Sequence, residues 1–143
     1  MRIHSTLFAL VTAAVVATGC GGDSNAPNPL AHVGRYALIS VDGATLPLVL
    51  YDQPALKLTV TEGALTMNAN NTFTEDVHIE VIADGFPAPP ELLSCGGTYQ
   101  KNGNSFTMTS TGSANCDAGT ATGTLSNNTL TVTDQNQTLV FRR

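Results

Sequence analysis

Short runs of alternating apolar and polar residues fill the chain from Val33 onward, with turn-forming residues between the runs. Segment 56–61 reads LKLTVT and segment 72–82 reads TFTEDVHIEVI. Because successive side chains of a strand point to opposite faces, this spacing predicts strands with one buried and one solvated face. A turn predicted at Glu62 and Gly63 separates the first of these strands from segment 64–68, ALTMN.

The C-terminal half contains one hairpin pattern twice. Segments 97–109 (GTYQKNGNSFTMT) and 123–133 (GTLSNNTLTVT) each start with Gly-Thr, pass through an Asn-rich turn and return as an alternating strand. Asn102-Gly103 and Asn127-Asn128 suit tight turns whose residues need positive φ. Segment 137–143, QTLVFRR, predicts a last strand.

These patterns predict an all-β domain over residues 33–143. We count about eight to ten strands and no amphipathic helix, which fits an antiparallel up-and-down β-barrel or a two-layer β-sandwich. The barrel is favoured, because pairing the first strand with the last leaves no exposed edge. Prolines interrupt segments 44–55 and 84–93, so these are predicted to be edge pieces or loops.

The parity of each strand identifies the side chains expected in the barrel interior, where they fill it or line a ligand cavity. They are Tyr36, Leu58, Val60, Leu65, Met67, Phe73, Ile79, Phe106, Met108, Leu130, Val132 and Phe141. Small residues on the same faces as Tyr99 and Leu125, among them Gly97 and Gly123, either leave interior space or let the sheet coil tightly.

Glu75 has the parity of the apolar residues Phe73 and Val77 on its strand. It therefore either lines a cavity or is returned to solvent by a β-bulge at Glu75-Asp76, and we prefer the bulge.

The N-terminal residues have the pattern of an export signal. Arg2 and His4 precede an apolar run over residues 7–17, which is shorter than the roughly 20 residues that a membrane-spanning helix needs. Residues 17–20, Ala-Thr-Gly-Cys, resemble a bacterial lipobox. This resemblance implies cleavage before Cys20 and acyl chains on that cysteine that anchor the protein in a membrane. Plain secretion with a free Cys20 thiol is the alternative.

Residues 1–19 are thus predicted to be a lipoprotein signal peptide and residues 20–32 a lipidated tether. The tether is expected to be flexible because GGDSNAPNP, after Cys20, has no apolar periodicity. By resemblance to enterobacterial sorting, Gly21 directly after the cysteine implies the outer membrane of the bacterial cell envelope.

With Cys20 assigned to lipid, Cys95 and Cys116 remain as a pair in an exported protein, which predicts a disulfide. A metal site is not expected, since only His32 and His78 follow the signal peptide and no C-x-x-C spacing occurs. The formal net charge of −5 argues against nucleic acid, whose phosphates need clustered Lys and Arg. No cofactor is expected.

The chain resembles the lipocalin-like domain of small bacterial lipoproteins. The residues that carry the resemblance are Gly34-Arg35-Tyr36, the segment SVDGATLP (40–47), the two Gly-Thr hairpins and the closing VFRR. In lipocalins, a Gly-x-Trp opens the first strand and a late arginine packs over the tryptophan. The resemblance implies that Tyr36 takes the place of the tryptophan, that Arg142 or Arg143 covers it, and that the barrel has a cavity open at one end.

No catalytic constellation is evident, and we do not expect an enzyme. His78 lies between Asp76 and Glu80, but all three share the polar face of one strand. Our first hypothesis is a non-enzymatic envelope lipoprotein whose barrel binds or carries a small apolar ligand. The second is a structural or protein-interaction module with a solid core, which contacts an unknown protein through residues 46–51 and 86–93.

Overall fold

The computed structural model describes residues 30–114, 116–134 and 137–143. The predicted signal peptide, Cys20 and most of the predicted tether lie outside these residues. The eleven strands, β1 to β11, are Gly34–Val41, Ala44–Thr45, Leu48–Gln53, Leu56–Met67, Thr72–Ala83, Phe86–Pro87, Glu91–Asn102, Ser105–Ser113, Cys116–Ser126, Thr129–Asp134 and Gln137–Arg142. Within the three ranges, no helix is long and apolar enough to cross a membrane.

Eight of the strands form a closed antiparallel barrel. In order around the barrel they are β1, β4, β5, β7, β8, β9, β10 and β11, and β1 closes it by pairing with both β4 and β11. Each barrel strand pairs with the next barrel strand in the chain, which is the order of an up-and-down meander. The predicted all-β barrel is therefore confirmed, and the sandwich alternative is not adopted.

Two bulges adjust which residues face the interior. In β4 the register shifts between Val60 and Glu62, so the single strand runs through the position of the predicted turn. That turn prediction is wrong. The extra residue reverses the alternation, so that Val60 before the bulge and Leu65 after it both face inward. A bulge in β1, between Leu38 and Ser40, does the same for Leu38 and Val41.

The hairpin turns form at the two predicted Asn-rich sites. Asn127 and Asn128 have φ of 47° and 65°, and they connect β9 to β10 through the Ser126–Thr129 pair. Gly103 has φ of 61° in the turn between β7 and β8. Glycine, asparagine and aspartate adopt these left-handed conformations more readily than other residues, which explains why the Asn-rich sites predicted the turns.

The two proline-bearing segments lie mainly outside the barrel wall, as predicted. β3 is the last strand of the sheet path and pairs with the first half of β4, and β2 pairs only with the end of β1. β6 pairs with the end of β5. Residues 91–93 are an exception, since they begin the barrel strand β7.

The buried apolar side chains form one core inside the barrel. Every side chain predicted for the interior is buried except Leu58, which is half-buried and packs against the core. Leu38, Val41, Val81 and Tyr99 are buried with them. The most completely buried large side chains are Tyr36, Phe141, Leu65, Met67 and Leu130, and they lie toward the end of the barrel where β1 begins.

Candidate ligand cavity

One end of the barrel is closed by His32, which lies just before β1. Its side chain is buried and contacts the rings of Tyr99 and Phe106, each at a centroid distance of 5.6 Å. The Tyr99 hydroxyl donates to the Asn68 carbonyl at 2.6 Å. Because a phenol has one proton, the His32 Nε2, 2.9 Å from the same hydroxyl, is then the donor of that second bond. Sequence analysis placed His32 in the tether, whereas its side chain helps to close one end of the barrel.

Arg143 stabilises the same closed end through a contact with the Tyr36 ring and two hydrogen bonds. Its guanidinium carbon lies 5.2 Å from the centroid of the Tyr36 ring. The Nη1 and Nη2 groups donate to the carbonyls of Val33 and Ala31 at 2.8 and 2.9 Å. The Tyr36 hydroxyl in turn donates to the His32 carbonyl at 2.8 Å. Of the two arginines expected to cover Tyr36, Arg143 is the one whose guanidinium contacts the ring.

The opposite end of the barrel is hollow. Two adjoining pockets, of about 200 and 330 Å³, share Glu75, Cys95, Gln137 and Leu139 in their walls. The smaller pocket is mostly apolar, with Val41, Val60, Val77, Ile79 and Leu93 among its lining residues. Together we call these two pockets the cavity. Of the twelve predicted interior residues, five line it: Val60, Phe73, Ile79, Met108 and Val132.

The position of Glu75 corrects one prediction. β5 pairs with β4 and with β7 through an unbroken run of residues around Glu75, opposite Leu65 on one side and Cys95 on the other. The expected bulge at Glu75-Asp76 is therefore absent, and the preferred interpretation is wrong. Glu75 is half-buried and lines both pockets of the cavity. Burial raises the pKa of its carboxyl, and the negative charges of Asp134 and Asp76 raise it further.

The predicted disulfide is present and forms part of the cavity wall. Cys95 on β7 and Cys116 on β9 are bonded, with their Cα atoms 5.4 Å apart. The bond joins β7 directly to the first residue of β9, near Ser110 of β8, whose Oγ is 3.3 Å from the Cys116 Sγ. It therefore ties β7 to β9 beside Glu75, which pairs with Cys95.

The small interior residues serve both of the predicted purposes: some let the strands approach closely, and others leave space in the barrel. A Cβ at Gly97 would overlap the Thr109 carbonyl oxygen and lie 2.8 Å from a Phe73 ring carbon, so Gly97 allows a close approach of strands. A Cβ at Gly119 would meet nothing within 4 Å. Gly119 and Ala121 line the larger pocket, so their small size leaves room in the cavity.

The histidine with two acidic neighbours is directed away from the cavity. The His78 Nε2 lies 3.7 Å from Glu62 on the adjacent strand, and both side chains are largely exposed. Asp76 accepts a hydrogen bond from Ser94 at 2.7 Å. His78, Asp76 and Glu80 do not line the cavity. Among the described residues, no group of His, Cys, Asp and Glu is suited to a metal ion.

Apolar side chains are exposed around the mouth of the barrel. Val49, Leu50 and Tyr51 of β3 are about half exposed, and Phe86 of β6 is 75% exposed. Leu50 also lines the smaller pocket of the cavity. A separate depression of about 400 Å³, between Pro54 and Gly85, is lined by both polar and apolar residues and shares no residue with the cavity.

Comparisons with known proteins assign no family: no family model matches the sequence, and no curated protein matches it.

Proposed function

We propose that this protein is a non-enzymatic, lipocalin-like carrier that binds a small, mainly apolar molecule in the cavity of its barrel. The single observation that carries the proposal is the difference between the two ends of the barrel. One end is closed by Tyr36, His32 and Arg143, and the other contains the cavity. Ligand sites in proteins are typically concave, largely apolar and roughly 300 to 1,000 Å³ in volume.

The cellular setting of the proposal depends on the N-terminal sequence. We propose that residues 1–19 are removed, that Cys20 carries acyl chains and that the protein is held at the outer membrane. Replacing Cys20 with serine tests this: the variant should leave the membrane fraction, and a variant that still partitions with membranes contradicts the anchor.

Ligand binding is tested by native mass spectrometry of the purified chain and by displacement of an apolar fluorophore. The informative variant is Gly119→Leu, which places a side chain where the cavity has free space. We expect saturable dye binding by the wild-type chain and at least a several-fold loss with Gly119→Leu. Gly96→Ala is the matched control, because Gly96 is on the outer face and a Cβ there makes only an ordinary contact. Absence of both co-purified ligand and dye binding contradicts the carrier.

A second candidate function is a protein-interaction module. The exposed apolar side chains Val49, Tyr51, Phe86 and Leu92 favour it, because each of them offers apolar surface that a partner protein would bury. If the wild-type cavity binds no dye, and Phe86→Ser with Tyr51→Ser abolishes co-purification of one defined envelope protein, this function replaces the carrier.

A further inference from the structure

The carboxylate of Glu75 is half-buried and lines both pockets of the cavity. Glu75 projects from the middle of β5 between its paired neighbours Leu65 and Cys95. Around it the smaller pocket is lined by Val77, Ile79 and other apolar side chains. Among the described residues, no side chain or backbone group donates a hydrogen bond to Glu75, and no basic side chain lines either pocket.

An interior carboxylate in this setting is costly for the protein. Burial of a charged group without a partner opposes folding, and the group then responds by a raised pKa, as Glu75 does. Two further carboxylates, Asp117 and Asp134, line the larger pocket and are exposed, so they lie toward solvent. No basic side chain of the described residues lines the cavity beside Glu75.

Resting on the proposed carrier function, we infer that the ligand is a single-chain apolar molecule with one protonated amine, whose amine contacts Glu75 while its chain lies among the apolar side chains of the smaller pocket. A positive charge with attached hydrogens supplies what Glu75 lacks, because an ammonium–carboxylate hydrogen bond is stronger than a neutral one. The smaller pocket, about 200 Å³, is below the roughly 300 Å³ at which typical ligand sites begin, and the larger, about 330 Å³, is just above it, which favours one short chain over a two-chain lipid.

The geometry also disfavours the other head groups. A carboxylate or phosphate would approach Glu75, Asp134 and Asp117 with the same sign of charge. A neutral alcohol can donate to Glu75, but it does not neutralise the charge. Of these head groups, only the amine both donates a hydrogen bond to Glu75 and is attracted by its negative charge.

Octylamine, octanol and octanoate provide matched probes, since they share one alkyl chain and differ in the head group. We would titrate each into the full-length chain in lipid nanodiscs at neutral pH by calorimetry, with empty nanodiscs as the blank. Octylamine should bind about tenfold more tightly than octanol, and octanoate should be the weakest, as expected for one charge-assisted hydrogen bond.

The variant Glu75→Gln should bind octylamine and octanol about equally. Glu62→Gln is the matched control, because Glu62 pairs with His78 on the outer surface, and it should keep the wild-type preference. Equal affinity of the wild-type chain for the three probes, or a tighter octanoate, overturns the inference and leaves the carrier function intact. So does a Glu75→Gln chain that keeps the amine preference. If the wild-type chain binds none of the probes, the carrier function fails as well.

Discussion

Replacing Gly97 with alanine tests whether the barrel needs the close strand approach at this position. The Cβ added there would overlap the carbonyl oxygen of Thr109 and lie 2.9 Å from its carbonyl carbon. Thr109 belongs to β8, which pairs with β7 at this level. The clash is with backbone rather than with a flexible side chain, so β7 and β8 must separate locally.

The expected loss follows from the forced movement. Inserting one carbon into a packed interior costs about 1 to 3 kcal/mol, and weakening a neighbouring ladder hydrogen bond adds about 1 kcal/mol. The lower entropy of the unfolded alanine chain offsets about 0.5 kcal/mol of this. We therefore expect the free energy of unfolding to fall by about 1.5 to 3.5 kcal/mol.

Gly96→Ala is the control, because it makes the same chemical change one residue earlier on the outer face. Its Cβ would lie 3.5 Å from the nearest atom, the Phe73 carbonyl oxygen, which is an ordinary contact. This variant should be as stable as the wild-type chain or about 0.5 kcal/mol more stable. Urea unfolding followed by far-ultraviolet circular dichroism measures both variants, and equal stabilities would refute the close approach.

Three further predictions concern the cavity and the closed end. Because folding raises the pKa of Glu75 above its ordinary 4.5, the charged folded form is disfavoured, and stability falls as pH rises through the raised pKa. Glu75→Gln should therefore raise the urea midpoint at neutral pH, and the gain should vanish below pH 4.5; a gain that grows in acid contradicts this. Replacing Cys95 and Cys116 with alanine should cost about 3 kcal/mol for a bond with a sequence separation of 21, and a chain equally stable with and without reductant contradicts it. Arg143→Ala should cost about 1 to 2 kcal/mol through the lost ring contact and paired hydrogen bonds. Arg143→Lys should recover less than half of that, and full recovery argues against a role for the planar guanidinium.

The strand pattern and the barrel could be predicted from sequence because they depend on local alternation and on turn residues. Asn127 and Asn128 both adopt positive φ, and few residues do so readily. The disulfide could be predicted because a pair of cysteines remained once Cys20 had been assigned. These signals are contained in neighbouring positions of the chain, or in a simple count.

The bulge in β4 could not be predicted in the same way. The first half of β4 pairs with β3 and the second half pairs with β1, so this one strand has two different neighbours on the same side. The shift at Thr61 keeps Val60 and Leu65 both inward across that change. The sequence shows only a change of parity near Gly63, and a turn accounts for such a change as well as a bulge does.

His32 was missed for a related reason. Its surroundings consist of Tyr36, Tyr99 and Phe106, which come from three separate strands. No periodicity in the residues around His32 indicates burial, because the site exists only after the barrel has closed.

Glu75 shows the opposite error. Its parity was read correctly, but a bulge was inferred because a carboxylate is expensive inside a core. The alternative that Glu75 lines a cavity was open as well, and the lining of the two pockets agrees with it.

The direction of the chain through the barrel bears on how a carrier of this kind would work. β1 begins at the closed end with Gly34 and Tyr36, and it reaches the cavity at Leu38 and Val41. The residues that lead from Cys20 therefore join the barrel at the end opposite the mouth. If Cys20 is anchored as proposed, the tether precedes the closed end and does not need to pass the mouth through which a ligand would enter. The two candidate functions share one residue, because Leu50 of β3 is both half exposed and part of the cavity wall.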